Sequence, residues 1–159
     1  LLCENTPGRG TIGMPKLLDK LEKRFRNTLA DLEATIDESV AWLAEKGLGP
    51  QSLYLARFIV EEMGTNILKY AYDDKQPHEI FLSLGITPTH LQILLEDDGH
   101  EFNPLHAPAP KISAGIDERT PGGLGIWLVQ KFGKMQYTRV DGKRNKVEIF
   151  LRLDCVIPD

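Results

Sequence analysis

A carboxylate and a carboxamide stand four residues apart at Glu62 and Asn66, with Lys69 three further on. In a helix these positions share a face. A carboxylate so placed can orient or deprotonate a nucleophile, and the amide oxygen beside it can ligate Mg²⁺ while phosphates complete the shell. A second group, Asp97-Asp98-Gly99, closes an apolar strand-like run with a carboxylate able to accept a hydrogen bond from an exocyclic amine, followed by a flexible glycine. The third, Gly122-Gly123-Leu124-Gly125, directly precedes a helical pattern. There a backbone nearly free of side chains and the positive end of a helix can meet phosphate oxygens. No G-x-x-x-x-G-K-[ST] segment competes for phosphate. Lys69 and Arg119 are candidates for charge neutralisation, and Phe102 for packing beneath the loop after Asp97. Taken singly, each group has a plainer explanation: a solvated helix face, a strand-end turn, a hinge.

The chemistry depends on the elements that carry these groups. Residues 4 to 15, with three glycines and two prolines, read as a loose lead-in, and Met14 is a candidate start. Alternation over Phe25 to Leu29 suggests a first strand. Asp31 then caps a helix running to about Lys46, with Leu32, Ile36, Val40 and Leu43 at helical spacing and Gly47, Gly49 and Pro50 as the stop. A longer helix opens at Gln51-Ser52 and runs through about Tyr72, with Leu53, Ala56, Val60, Met63, Ile67 and Ala71 on one stripe. Glu62, Asn66, Lys69 and Asp73 fall opposite that stripe. Gly64, in mid-helix, marks either close packing or the approach of a nucleotide.

Glu79 to Ile86 and His90 to Glu96 read as a hairpin around Thr87-Pro88-Thr89. Residues 98 to 122, with four prolines and no sustained period, form a long loop of the kind used as a functional lid. Leu124 to Phe132 is a helix ended by Gly133. Met135 to Val140 and Lys146 to Leu153 make a last hairpin around Asp141-Gly142. The order predicts an α+β two-layer sandwich, a mostly antiparallel mixed sheet with helices on one face.

Composition narrows the partners. The 159 residues suit one domain, expected over 21 to 159 after a lead-in at 1 to 20. A net charge of −4 argues against nucleic acid as the main partner. Cys3 and Cys155 lie near opposite ends, outside any C-x-x-C pair, which disfavours a disulfide framework or zinc site. No apolar run approaches the length of a bilayer span, so a cytoplasmic protein without membrane attachment is expected. His78, His90, His100 and His106 lack metal-ligand spacing and read as loop and strand-end surface. Trp42 and Trp127 read as packing residues.

In order and spacing the three groups resemble the boxes of the GHKL superfamily of ATPases, which share the Bergerat nucleotide-binding fold, and most closely its anti-sigma-factor serine/threonine kinases. Glu62-x-x-x-Asn66-x-x-Lys69-Tyr-Ala-Tyr is similar to the N box. Asp97-Asp-Gly99-His-Glu-Phe102-Asn103-Pro104 is similar to the first glycine box, and Gly123-Leu-Gly125-Ile-Trp-Leu-Val to the second. Tyr137, Arg139, Gly142 and Asn145 resemble the closing hairpin, and the likeness covers about residues 25 to 153. It implies ATP and Mg²⁺ as cofactors, Glu62 as general base and Asn66 as metal ligand. It further implies that Asp97 reads adenine, Gly99 shapes the base pocket, and Gly123, Leu124 and Gly125 border the phosphates. The implied partners are a sigma factor or similar regulator and a STAS-type antagonist as substrate, with a homodimer as one allowed assembly. Two rival readings are an ATP-gated binding module without phosphotransfer and a detached histidine-kinase ATPase domain. The latter would need a phosphoacceptor histidine from elsewhere, since the first here is His78.

Overall fold

The computed structural model describes residues 16–110 and 123–153. Strand β1 (Asp19–Arg26) leads into helices α1 (Leu29–Glu45) and α2 (Pro50–Tyr70). Strands β2 (Glu79–Ile86) and β3 (His90–Asp97), a 3₁₀ turn (Pro104–His106), helix α3 (Gly123–Phe132) and strands β4 (Gly133–Val140) and β5 (Arg144–Arg152) complete the described chain. The sheet order is β1-β2-β3-β5-β4, and each of the four described pairings is antiparallel, in keeping with the mostly antiparallel sheet that the element order predicts.

The first strand lies earlier than the alternation at Phe25 to Leu29 suggests. Its helix-facing row is Leu21, Lys23 and Phe25, and Lys23 reaches Glu38 of α1 across the layer, so a charged residue hides the apolar period. Leu29 already belongs to α1. Its N-cap is Thr28 rather than Asp31: the Thr28 hydroxyl oxygen accepts from the Asp31 N–H at 3.1 Å, satisfying a free first-turn donor. At the other end Gly47, at φ 84°, reverses the chain while its N–H donates to Ala44 and that of Leu48 to Leu43. This paired closure needs a left-handed residue, which glycine adopts without Cβ strain.

The two layers meet through alternating inward rows. Ile80, Leu82, Leu84 and Ile86 of β2 and Leu91, Ile93 and Leu95 of β3 are buried beneath the helices, as are Val147, Ile149 and Leu151 of β5. They meet Leu32, Ile36 and Leu43 of α1 and Leu55, Ile59, Val60 and Met63 of α2 in one core, each fully buried aliphatic side chain contributing roughly 1.5–3 kcal/mol. Helix α2 sits between α1 and α3 and buries more than one stripe. Gly64 serves the α1 contact: a Cβ there would lie 2.6 Å from Leu32 Cδ1, which decides for close helix packing over nucleotide approach. The inward row of β3 then continues one step past its apolar residues, to Asp97.

Candidate functional site

Alternation alone carries Asp97 into the helix layer. The residues Leu91, Ile93 and Leu95 point inward at every second position, so Asp97 follows them and is 6% exposed. Its cross-strand partner is Asn145, the first inward residue of β5, and Arg139 of β4 pairs with Asn145 in turn. Three adjacent strands therefore set Arg139, Asn145 and Asp97 in one row at ladder spacing. The Asn145 side chain ties the row together. Its Nδ2 donates to Asp97 Oδ1 at 3.0 Å and to the His100 carbonyl at 2.6 Å. Its Oδ1 accepts from Tyr137 Oη at 2.8 Å, Arg139 Nη1 at 3.0 Å and the Phe102 N–H at 3.1 Å.

The segment leaving β3 is pinned to the same row. The Gly99 N–H donates to Asp97 Oδ1 at 2.9 Å, Arg139 Nη1 donates to the Gly99 carbonyl at 3.0 Å, and the His100 N–H donates to the Ala71 carbonyl at 2.9 Å. A Cβ on Gly99 would fall 2.6 Å from the Ala71 carbonyl oxygen, so this crossing over the end of α2 requires glycine. Among the described residues both hydrogen bonds to the Asp97 carboxylate go to Oδ1, which leaves Oδ2 as an acceptor on the cavity wall. Burial pushes the Asp97 carboxyl up, while the Asn145 and Gly99 donors pull it down.

The cavity beside Asp97 runs between α2, β3 and β5. Met63, Asn66, Ile67 and Ala71 form the helix side, Leu95, Asp97, Asn145 and Val147 the sheet side, and Tyr70, His100, Phe102 and Pro104 the remaining lining. Phe102 is 46% exposed, so it is a rim residue rather than core. Asn66, expected on the solvated face of α2, is instead buried because α2 is covered on more than one side. Its Nδ2 donates to the Glu62 carbonyl at 2.7 Å, and its Oδ1 remains an acceptor on the wall. The walls are apolar apart from a few oriented polar groups, as small-molecule sites usually are.

The other predicted residues are placed unevenly. Glu62 is half-buried and lies outside the cavity lining, its carboxylate against Gly125 in the first turn of α3. Desolvation raises the Glu62 carboxyl, repulsion from Glu61 adds to this, and Lys69 opposes it. Lys69 itself is exposed near the end of α2. Gly123 opens α3 with space around it, and Leu124 is 39% exposed. Arg119 and Gly122 lie outside the described residues.

Several participants were harder to read. Asn145 stood out only through the family likeness of its hairpin, although the inward alternation of β5 points to it. His78 is not simple surface: its Nε2 meets Asp74 at 2.7 Å, its Nδ1 meets Asp98 at 3.4 Å, and its ring stacks on Tyr72 with centroids 3.9 Å apart. His100 pairs with Asp73 at 2.8 Å. These contacts join the end of α2 to the exit from β3. Apart from the local His78–Asp74 pair, separation along the sequence conceals them.

A carboxylate held by one oxygen shares a largely apolar cavity with Asn66 of α2, on an α+β sandwich. The model of the histidine kinase-like ATPase domain matches residues 25–151, and the chain belongs to that family. Among similar proteins, the serine/threonine-protein kinase BtrW of Bordetella bronchiseptica is 27% identical over 113 residues, 68% of this chain and 80% of that protein. The serine-protein kinase RsbW of Oceanobacillus iheyensis is 27% identical over 93 residues, covering 53% and 56% of the two chains. RsbW of Bacillus velezensis is 28% identical over 80 residues, covering 46% and 49%. Among the described residues, no helix is long and apolar enough to cross a membrane.

Proposed function

We propose that this chain is an ATP-dependent serine/threonine protein kinase of the anti-sigma regulatory type, acting in the cytoplasm. It would bind a sigma factor or similar regulator and phosphorylate a STAS-type antagonist. The observation that carries the reading is the retained Glu62, one helical turn before Asn66 and half-desolvated against α3, in a chain whose relatives are named as serine or serine/threonine kinases.

Each residue has a role that its chemistry supports. Asp97 Oδ2 accepts from the exocyclic amine of adenine while Gly99 keeps the wall close. Phe102 and the apolar side chains of α2 cover the base. The Asn66 amide oxygen is a hard donor suited to Mg²⁺, which when bound supplies charge neutralisation to the phosphates. Among the described residues no group of three or more His, Cys, Asp or Glu is placed to hold a metal by itself, so phosphate oxygens and water would complete the shell. Gly123, Leu124 and Gly125 border the phosphates, and Lys69 and Arg119 offset their charge.

Glu62 takes the proton from the partner's Ser or Thr hydroxyl as that oxygen attacks the γ-phosphorus. The bond from phosphorus to the bridging oxygen breaks, and ADP leaves with the electron pair. A carboxyl raised by desolvation is a better base near neutral pH than an ordinary surface glutamate. The added phosphate brings about −1.5 to −2 charges to the partner surface, enough to alter its complex with the kinase.

Transfer of labelled phosphate to a cognate antagonist tests the assignment. Glu62→Gln is expected to lower transfer by roughly 10²–10⁴-fold, the usual contribution of a positioned base, while ATP affinity changes little. Full transfer by that variant would remove Glu62 from the mechanism. ATP binding without transfer to any antagonist would favour an ATP-gated binding module.

A further inference from the structure

Gly125 has a structural task separate from phosphate approach. A methyl group built at this position would overlap the Glu62 carboxylate, lying 2.7 Å from Cδ and 3.2 Å from Cγ. Gly125 is itself buried, and Glu62 reaches it across the contact between α2 and α3. Gly123, two residues earlier, has only the Pro108 carbonyl near such a methyl group, at 3.8 Å. The two glycines of the turn are therefore not equivalent: one faces open space and the other faces the acid.

We infer that the missing side chain of Gly125 is the slot that seats the Glu62 carboxylate, making Gly125 a positioning residue for the proposed base. Among the described residues the Glu62 carboxylate has no hydrogen bond or ion pair to hold it. Contact with the first turn of α3 is what fixes its place. The charged groups acting on it are Glu61 and Lys69, both on α2. The role of Glu62 as base rests on the function proposed above; the slot itself does not.

A methyl group at 125 should push the flexible Glu62 side chain out rather than unfold the protein. Its carboxylate would then stand in water, closer to where phosphates approach. The test is a four-protein cycle of wild type, Gly125→Ala, Glu62→Asp and the double variant, read by MgATP affinity and melting temperature. Aspartate keeps the charge but is one methylene shorter, so it overlaps the new methyl group less and needs a smaller turn to avoid it.

Gly125→Ala is expected to weaken MgATP binding by about fivefold or more beside Glu62 and by less than about twofold beside Glu62→Asp, a coupling typical of residues in contact. Alanine favours helix over glycine, so the melting temperature should rise only in the aspartate background. If Gly125→Ala folds only beside Glu62→Asp, the slot is equally supported. Equal cost of Gly125→Ala in both backgrounds, or failure to fold in both backgrounds, would overturn it. None of these readouts needs a phosphoacceptor, so lack of kinase activity would remove the proposed reaction and leave the slot standing.

Discussion

The two ends of the site are secured by different means. At the Asp97 end, three strands present Arg139, Asn145 and Asp97 as a row, and Asn145 alone makes five side-chain hydrogen bonds. At the Glu62 end, two helices meet, Lys69 is exposed, and the carboxylate is seated by packing against a glycine. Strands joined by ladder bonds hold neighbouring side chains at preset spacing, so a polar cluster can be assembled before any ligand arrives. Packed helices offer no such ruler. The Asp97 wall is preorganised, while the Glu62 end is held by helix packing alone.

The largest effect should follow from removing the hub of the wall. Asn145→Ala strips the partner from Tyr137, Arg139 and the Phe102 N–H and half the support from Asp97, and it should cost about 3 kcal/mol of folding stability by urea titration. ATP affinity should fall with it. A loss below about 1 kcal/mol would mean that the row tolerates separation of its members, and the contrast between the ends would weaken.

Asp97→Asn separates function from stability at the same wall. Loss of a charged acceptor should weaken ATP binding by about 1.5–3 kcal/mol, roughly ten- to a hundredfold, by calorimetry. The nucleotide-free protein should become more stable at neutral pH, by about 1 kcal/mol or about 3 °C in melting temperature. The sign follows from burial: with its native carboxyl raised above 3.8, Asp97 stabilises the fold most fully below that pH, and this contribution is lost as pH rises through the native value. The variant lacks that loss. A lower melting temperature for Asp97→Asn at pH 7 would show that the carboxylate is not a strained element of the wall.

The His78 bridge gives a smaller, pH-dependent effect. Asp74 first, then Asp98, raise the His78 imidazole against a desolvation penalty. A raised histidine stabilises fully below its unfolded value near 6.5 and loses that contribution as pH rises through the native value. Melting temperatures from pH 5.5 to 8.5 should therefore fall slightly more for wild type than for His78→Asn. Identical profiles would detach the bridge from the wall's stability.

The smallest effect is expected at the open end. Lys69→Ala should change ATP affinity by only about 0.5 kcal/mol and stability by less, since an exposed cation is screened. A loss above about 1.5 kcal/mol would show that the phosphate side is better organised than its contacts suggest.

Much of the architecture could be read in advance where pattern and punctuation agree. The hairpin from Glu79 to Asp97, the long helix after Gly49-Pro50 and the helix before Gly133 each carry both a hydrophobic period and a clear stop. The first strand was displaced because Lys23, an inward position, is charged and satisfied by Glu38, a partner fifteen residues away. Periodicity places Asn66 on a solvated face because it reports one stripe, whereas a central helix with neighbours on both sides buries more. Asn145 and the pair of His78 with Asp98 are long-range: their partners lie 43 to 48 residues away for Phe102, His100 and Asp97, and 20 for His78 with Asp98. No local pattern marks such pairings.

By itself the sequence determined the elements and the order of the three groups, because helical and strand periods, proline, glycine and capping residues act over a few neighbours. It also placed Asp97 at the end of an inward-facing row, since alternation along a strand is a local property. Tertiary structure alone decided that Asn145 would clamp one oxygen of Asp97, that Asn66 would be buried, and that Gly125 would receive Glu62. Those outcomes depend on strand register and helix contact, which join residues far apart in the chain and are settled only when the two layers pack.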